Sequence, residues 1–218
     1  MNYGLNLAAS GAMTSLHRMD VLSNNLANMS TPGFKADVPV IQQRDAERIE
    51  DRLMSLPSNK LLESLGGGVF AAANRIAFEQ GPPSQTGNPL DLALQGDGFF
   101  VLQDESDRSR EALRLTRDGR FTRDSGGRLV SGASGLPLLD VQNRPITLAG
   151  DLPVQILRDG TVTQGGEEVA KIQVMGIAGQ DRLAKAGRGL FKPTAAQLAS
   201  AQPGTGTVLQ KYIEGSSV

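Results

Sequence analysis

The chain has 218 residues, of which 39% are hydrophobic, and a formal net charge of −1 at pH 7. This charge gives no electrostatic reason to expect nucleic acid or an anionic membrane as a partner. The absence of cysteine excludes disulfides, thiolate metal sites and cysteine nucleophiles. The N-terminus lacks the basic start and continuous apolar run of a cleavable signal peptide, and no segment has the length of a membrane span.

Residues 5–26 carry a row of apolar and small side chains at alternating spacings of four and three. This row, which we call the seam, consists of Leu5, Ala9, Ala12, Leu16, Met19, Ser23 and Leu26. The seam keeps a period of 3.5 over three heptads, whereas an ordinary amphipathic helix drifts around 3.6. The pattern predicts a helix over residues 2–28, marginal by itself, that winds against a partner helix. The alternative is an amphipathic helix that lies on the core of its own domain.

Three asparagines, Asn24, Asn25 and Asn28, flank the end of the seam. Asparagine is a weak helix former because its amide competes with the backbone for hydrogen bonds. In a packed bundle such amides bridge neighbouring helices and fix their register. The following Thr31-Pro32-Gly33 cannot continue a helix, so the helix is predicted to stop there.

After the predicted helix, the residue pattern of the sequence changes twice. A polar and charged stretch ends at three glycines, and beyond it short alternating runs are separated by turn signals, which is typical of an all-β domain. The predicted fold is mainly β, a β-meander or small barrel-like domain with a long N-terminal helix and an extended linker. The predicted parts are a heptad helix at 1–34, a polar linker at 35–68 with a possible short helix at 45–56, a β-rich domain at 69–214, and the start of a return towards the helix at 215–218.

Several strands can be named from their turns. Leu90, Leu92 and Leu94 share one face of a strand that precedes the Gly96-Asp97-Gly98 turn, and a second strand covers residues 99–103. Further hairpin turns are predicted at Asp118-Gly119, Gly126-Gly127, Asp159-Gly160 and Gly165-Gly166, where glycine supplies a positive φ. Because the chain has only 7 Phe, 2 Tyr and no Trp, aliphatic side chains must fill most of the core.

A search for catalytic or metal-binding residues yields none. His17 is the one histidine, lies on the predicted helix and is read as an exposed residue beside the seam. The Asp-Gly turns lack the lysine of a phosphate loop and the spaced carboxylates of a calcium loop. Arginines and acids intermix between residues 104 and 124, which suits either a polar protein contact or a solvated face. They are Arg108, Arg110, Arg114, Arg117, Arg120 and Arg123, with Asp104, Glu105, Asp107, Asp118 and Asp124.

Four stretches of the sequence resemble one family. They are LSNNLANMSTPGFK, TGNPLDLALQGDGFFVL, TRDGRFTRDSGGRLV and GTVLQKYIEGSSV. In this order they resemble the flagellar hook and basal-body rod family, the axial proteins of the bacterial flagellum. The short length and single β region look like a rod subunit, proximal or distal, rather than the larger hook protein.

The resemblance implies a structural, non-enzymatic subunit that is exported unfolded and stacks helically into the periplasmic rod, where it transmits torque from motor to hook. The implied partners are other copies, adjacent axial proteins and the flagellar type III export apparatus, with no nucleic acid, small-molecule substrate, cofactor, metal or membrane insertion. The implied assembly positions are Leu5, Leu16, Met19, Asn24, Asn25, Leu26, Asn28, Thr31, Pro32, Gly33 and Phe34. The family motif in the β domain comprises Gly87, Asn88, Pro89, Leu90, Asp91, Gly96, Gly98, Phe99, Phe100, Thr116, Arg117, Asp118, Gly119 and Phe121.

The sequence departs from the family at its end. In relatives the EGSSV stretch leads into a second heptad helix, whereas this sequence stops at Val218, which favours truncation or processing. Without that partner, the N-terminal helix is expected to be disordered, domain-swapped or packed against another copy. The competing interpretation is an extracellular β-domain binding module, an adhesin or glycan binder with an oligomerising helix, which predicts a ligand groove on the β domain, preferably with exposed aromatics. An enzyme would need titratable side chains that converge on one pocket.

Overall fold

The computed structural model describes residues 3–45, 67–104, 112–150 and 152–218. These residues form two compact units. The helix unit consists of Met1–Ala27 with Asp37–Arg75, and the β unit consists of Asn28–Ala36 with Ile76–Val218. The short helix predicted at 45–56 lies, beyond its first residue, outside the described residues.

The helix unit contains α1 (Tyr3–Ala27) and a two-stranded ribbon of β1 (Asp37–Gln43) and β2 (Val69–Ile76). The predicted helix is confirmed, and it ends just before the Thr31-Pro32-Gly33 stop. The ribbon corrects the prediction of a polar linker over residues 35–68, since β1 occupies part of that span. Its Val38, Val40 and Ile41 have the β-branched side chains that favour strands, and Pro39 suits a strand without neighbours on both sides.

The β unit carries the remaining strands and one short helix in its described part. They are β3 (Pro83–Gln85), β4 (Leu92–Gln95), β5 (Phe99–Gln103), β6 (Leu113–Thr116), β7 (Phe121–Arg123), β8 (Leu129–Ser131), β9 (Val154–Ile156), β10 (Thr161–Gln164), β11 (Glu167–Lys171), β12 (Val174–Gly176), β13 (Ala184–Gly187), β14 (Leu190–Lys192), α2 (Ala195–Ala199), β15 (Gln202–Pro203), β16 (Thr207–Gln210) and β17 (Tyr212–Glu214). The mainly β fold is therefore confirmed.

The strand pairing is only partly a meander. A three-stranded sheet of order β11-β10-β9 follows chain order, as does the β7-β8 pair, so the turns at residues 126–127, 159–160 and 165–166 join paired strands. The largest sheet has the order β13-β14-β6-β5-β12-β15, while β16 pairs with β4 and β17 with β3. The predicted barrel is wrong, because the described strands close no barrel. The turns at 96–98 and 118–119 join strands of different sheets and are not hairpins.

The core of the β unit lies on both faces of β5. Phe100 and Leu102 point into a cluster that also contains Leu92 and Leu94, with Leu90 packed against it, as the shared face of these leucines predicts. Phe99 and Val101 point to the other face, where the ring centroids of Phe78 and Phe191 lie 5.3 and 5.8 Å from that of Phe99 and 5.3 Å from each other. A strand buried on both faces shows a continuous apolar run rather than alternation.

Aspartates begin several tight turns of the β unit and bind the turn that follows. Asp124 and Asp140 each accept hydrogen bonds from backbone N–H groups two and four residues later, and from the arginine at the fourth position. Asp118 binds the backbone and side chain of Arg120 in the same way. Part of the mixed-sign region at 104–124 thus consists of local pairs that stabilise turns.

The environment of Asp140 predicts that part of the free energy of unfolding is lost in acid. Burial alone would raise the pKa of this carboxyl, but the N–H donors of Gln142 and Arg144 and the Arg144 guanidinium outweigh it and hold the pKa below its usual 3.8. The stabilisation is therefore present above pH 3.8 and is lost as the pH falls through the lower folded pKa. We expect Asp140→Asn to cost about 1 kcal/mol at pH 7, measured by urea unfolding, and the difference from wild type to shrink towards pH 2. An equal difference at both pH values would contradict this assignment.

Candidate assembly surface

The seam is an exposed apolar row on α1. All seven of its residues are exposed, and the large ones, Leu5, Leu16, Met19 and Leu26, keep 56–69% of their surface accessible. Exposed aliphatic side chains in one row are costly in water and mark a contact surface.

The opposite face of α1 packs on its own ribbon. Thr14 and Val21 are buried, and the Ser10 hydroxyl accepts a hydrogen bond from the backbone N–H of Val69 at 3.4 Å. At 3.6 residues per turn, positions 14 and 21 lie on the side of the helix away from Leu16 and Met19. The helix is therefore ordered within this chain, which corrects the expectation of disorder, whereas domain swapping or packing against another copy stays a prediction. The interpretation of α1 as an amphipathic helix that packs within its own chain holds for this face, and the interpretation that the seam winds against a partner helix stays a prediction.

Asn25 is satisfied inside the helix unit. Its Nδ2 donates to the backbone carbonyl of Asp37 at 2.8 Å, and its Oδ1 accepts from the backbone N–H of Asp37 at 2.9 Å. The amide thus pairs with β1 as a neighbouring strand would, and the residue is 7% exposed. This corrects the prediction that Asn25 serves a neighbouring subunit. A bridging role for Asn24, which is exposed, stays a prediction.

Asn28 and the motif turn lie in the β unit. The Asn28 side-chain oxygen accepts from the Thr31 hydroxyl, and its backbone carbonyl accepts from the Thr31 N–H at 3.0 Å. Gly33 has a φ of +67°, and a Cβ there would lie 2.5 Å from the backbone nitrogen of Asp118. The turn therefore requires glycine both for its conformation and for its close approach to the segment after β6.

His17 is half-buried rather than exposed, which corrects its sequence-based interpretation. Its Nε2 lies 3.0 Å from Oδ1 of Asn74 on β2. Ser10, His17 and Asn25 follow one another at seven and eight residues and all contact the ribbon through polar atoms. That spacing of about two turns is the signal from which this second helix face could have been predicted.

A buried ionic cluster, formed by Lys35, Arg117 and Glu214, stands behind the motif turn. Lys35 Nζ lies 2.5 Å from Glu214 Oε1, and Arg117 Nη1 lies 3.3 Å from Glu214 Oε2. Lys35 and Glu214 are each 1% exposed. Burial lowers the pKa of Lys35, against the opposing effect of the Glu214 carboxylate. Arg117 also donates to the carbonyl of Gly96 at 2.8 Å and stacks over the Phe99 ring.

The cluster shows what the sequence analysis missed. Arg117 was placed in a surface patch of mixed charge, but it is buried. Lys35 and Glu214 were not selected as site residues, although both lie in the quoted stretches PGFK and YIEG. A charged residue inside a motif that otherwise contains turn and apolar residues was the available signal.

Most family-motif positions in the β unit are explained by the fold. Phe99, Phe100 and Phe121 fill the core, and the Thr116 hydroxyl donates to the carbonyl of Gly189 at 2.9 Å. Asn88 Nδ2 donates to Asp91 Oδ1 at 3.0 Å in the turn before β4. The positions that take a positive φ are Gly87, Gly96 and Gly98, and Pro89 offers its carbonyl to Gln210. These residues build the β unit, whereas the seam belongs to the helix unit.

Comparisons with known proteins agree with this division. A family model described as flagella basal body rod protein matches residues 5–35, and one described as flagellar hook protein FlgE/F/G D1 domain matches residues 93–164. The flagellar basal-body rod protein FlgF of Caulobacter vibrioides is 35% identical over 195 residues, which cover 89% of this chain and 74% of that protein. The chain belongs to the flagellar basal-body rod protein family.

Other relatives of this rod-family chain extend the match. FlgG of Caulobacter vibrioides is 33% identical over 98% of the chain and 84% of its own length. FlgG of Buchnera aphidicola subsp. Acyrthosiphon pisum is 30% identical over 92% of the chain and 79% of its own length. The match at residues 5–35 contains the seam, the three asparagines and Lys35.

Two further features of the rod-family chain concern metal binding and membrane crossing. Within the described ranges, no three His, Asp or Glu side chains are grouped so that they could hold a metal ion. No helix in the described part of the chain is long and apolar enough to cross a membrane.

Proposed function

We propose that this chain is a structural subunit of the flagellar basal-body rod that polymerises through the seam of α1. The observation that carries the proposal is the exposure of all seven seam residues on a helix whose other face is already packed on its own ribbon. A heptad row that is free for contact suits a helix of a neighbouring subunit. The names of the relatives, basal-body rod proteins FlgF and FlgG, support the same role.

The proposal includes the partners and location that the family implies. The chain acts without catalysis, contacts other copies and adjacent axial proteins, and reaches the periplasmic rod through the flagellar type III apparatus without a cleavable signal peptide. Identical subunits that contact one another head to tail form an open helical polymer. The seam, whose Ala9, Ala12 and Ser23 allow close backbone approach, supplies one side of such a contact.

The competing binding module is not favoured. A glycan binder presents aromatic faces to sugars, yet the exposed large hydrophobic residues described in the β unit are aliphatic, among them Val141, Leu152 and Leu157. Among the described residues, the aromatic side chain in that exposed set is Phe70 on β2 of the helix unit, and a single ring offers no row of aromatic faces.

A charge placed in the seam tests the proposed function. Met19→Glu puts a carboxylate at a position that is 59% exposed in the single chain but dry in a helix bundle. A buried unpaired charge costs several kcal/mol, so we expect incorporation into purified basal bodies, and motility of cells carrying only this copy, to fall at least about tenfold.

The matched control is Arg18→Glu, which changes the charge more but lies on an exposed position away from the seam. We expect it to assemble normally. Both variants should keep the circular dichroism of the wild type, because neither side chain is buried in the chain. Normal assembly of Met19→Glu would refute the seam as the polymerising surface.

A further inference from the structure

The segment that follows α1 and the last residues of the chain hold each other by reciprocal hydrogen bonds. The Gly33 N–H donates to the carbonyl of Glu214 at 2.9 Å, and the Ala36 N–H donates to the Ser217 hydroxyl at 3.2 Å. In return, the Ser217 N–H donates to the carbonyl of Phe34 at 3.1 Å. Backbone donors that would otherwise be left without partners in a partly buried segment therefore depend on residues about 180 positions away.

The ionic cluster makes this dependence mutual. Two cations, Lys35 and Arg117, share the carboxylate of Glu214, one on each oxygen. The same carboxylate also accepts the backbone N–H of Gly81 at 3.1 Å, and Lys35 donates to the carbonyl of Glu79 at 2.7 Å. The cluster carries one excess positive charge, and Arg117 Nε is buried without a hydrogen-bond partner. If Glu214 were absent, two buried cations would face each other with no shared anion, which is strongly unfavourable.

Lys35 also gains little from any other contact while Glu214 is undocked. The remaining described partner of its ammonium group is a single backbone carbonyl, that of Glu79, while the backbone carbonyl of Lys35 accepts a hydrogen bond from Lys185 Nζ at 2.6 Å. A lysine that is 1% exposed with one neutral acceptor would instead leave the interior and take Phe34 and Ala36 with it. The same reasoning applies to Glu214, whose burial requires both cations.

We propose that Lys35, Arg117 and Glu214 form a clasp through which residues 33–36 and residues 214–217 take their folded positions only together. Residues 33–36, which follow α1, then become ordered when β17 docks on β3, and not before. This inference goes beyond the rod function, because it concerns how the two ends of the β unit are interlocked in any assembly state.

Amide hydrogen exchange of the full chain, followed by NMR, tests the clasp from its C-terminal side. In Glu214→Gln we expect the amides of Gly33 and Ala36 to exchange on the order of 100-fold faster than in wild type, since breaking a buried pair opens the segment. The amides of β5 and β6 should keep their protection. The matched control, Glu168→Gln, changes an exposed carboxylate on β11 and should leave all these amides unchanged.

The reverse variant tests the clasp from its N-terminal side. Lys35→Met keeps the Arg117–Glu214 pair, so the chain retains one buried charge pair, yet we expect the Ser217 amide to exchange at least about tenfold faster. The clasp is overturned if either variant leaves the distant segment protected, or if β5 and β6 lose protection to the same extent. Because exchange is measured on the isolated chain, a failure here is distinct from a failure of seam-driven assembly.

Discussion

Gly119→Ala is expected to destabilise the β unit by about 3 kcal/mol. A Cβ on Gly119 would lie 1.5 Å from the carbonyl oxygen of Leu92 and 2.6 Å from its carbonyl carbon, so neither backbone can stay in place. The Leu92 N–H donates to the Gly119 carbonyl at 2.9 Å, and Leu92 itself is fully buried. The clash therefore separates the turn after β6 from β4 and opens the core beneath it. Urea unfolding, followed by circular dichroism, measures the loss.

Gly126→Ala is the matched control for this prediction. Gly126 lies in the turn between β7 and β8, and the nearest atom to an added Cβ is an Asp124 side-chain oxygen at 3.4 Å. Its φ is not in the left-handed region, so alanine fits without strain. We expect its unfolding free energy to stay within about 0.5 kcal/mol of wild type. Equal stability of the two variants would mean that the turn after β6 does not approach β4 this closely.

Asn25→Ala is expected to cost about 2–4 kcal/mol in the attachment of α1 to β1, because two hydrogen bonds from the buried Asn25 amide to the partly buried backbone of Asp37 are lost together. The N–H and the carbonyl of Asp37 are left without these partners, and alanine cannot replace either contact. The gain in helix propensity recovers only about 0.7 kcal/mol. The expected result is faster amide exchange along β1 and a lower helical signal at 222 nm on mild heating, while the β unit melts as before.

Asn6→Ala gives the comparison on the same helix. Asn6 is exposed and lies more than two turns of α1 away from Asn25 and its contacts with the ribbon. Only the gain in helix propensity on replacing asparagine by alanine therefore applies. We expect a helix that is equally or slightly more stable. If Asn25→Ala behaved like Asn6→Ala, the pairing of the amide with Asp37 would contribute nothing to the helix unit.

What the sequence predicted well was local. The bounds of α1 follow from a heptad row and a Pro-Gly stop that act within a few residues of each other. The turns after β7 and β10 follow from Gly127, Gly165 and Gly166, which take a positive φ wherever the strands lie. The shared face of Leu90, Leu92 and Leu94 follows from the two-residue period of a strand.

What the sequence did not predict depends on residues that are distant in the chain. β4 pairs with β16 and β3 pairs with β17, and no local pattern in β4 distinguishes that partner from the adjacent β5. The burial of Lys35 is likewise decided by a glutamate 179 residues away. The sequence assigns Asn25 to neighbouring subunits because it predicts a polar linker where the structure has β1, the strand that Asn25 contacts.

The face of α1 that packs on the ribbon and the proposed contact along its seam limit how the helix can change during evolution. At positions that contact the ribbon, such as Thr14 and Val21, the residue type is constrained by packing within the chain. Along the seam, it is constrained by the proposed contact with other subunits. Exposed positions outside both sets form narrow strips, and one of them runs through Asn6, Met13 and Asp20 at intervals of seven residues. Neutral substitutions should accumulate along such strips. Across the family, variable positions on this helix would then alternate with conserved positions that make its two contacts.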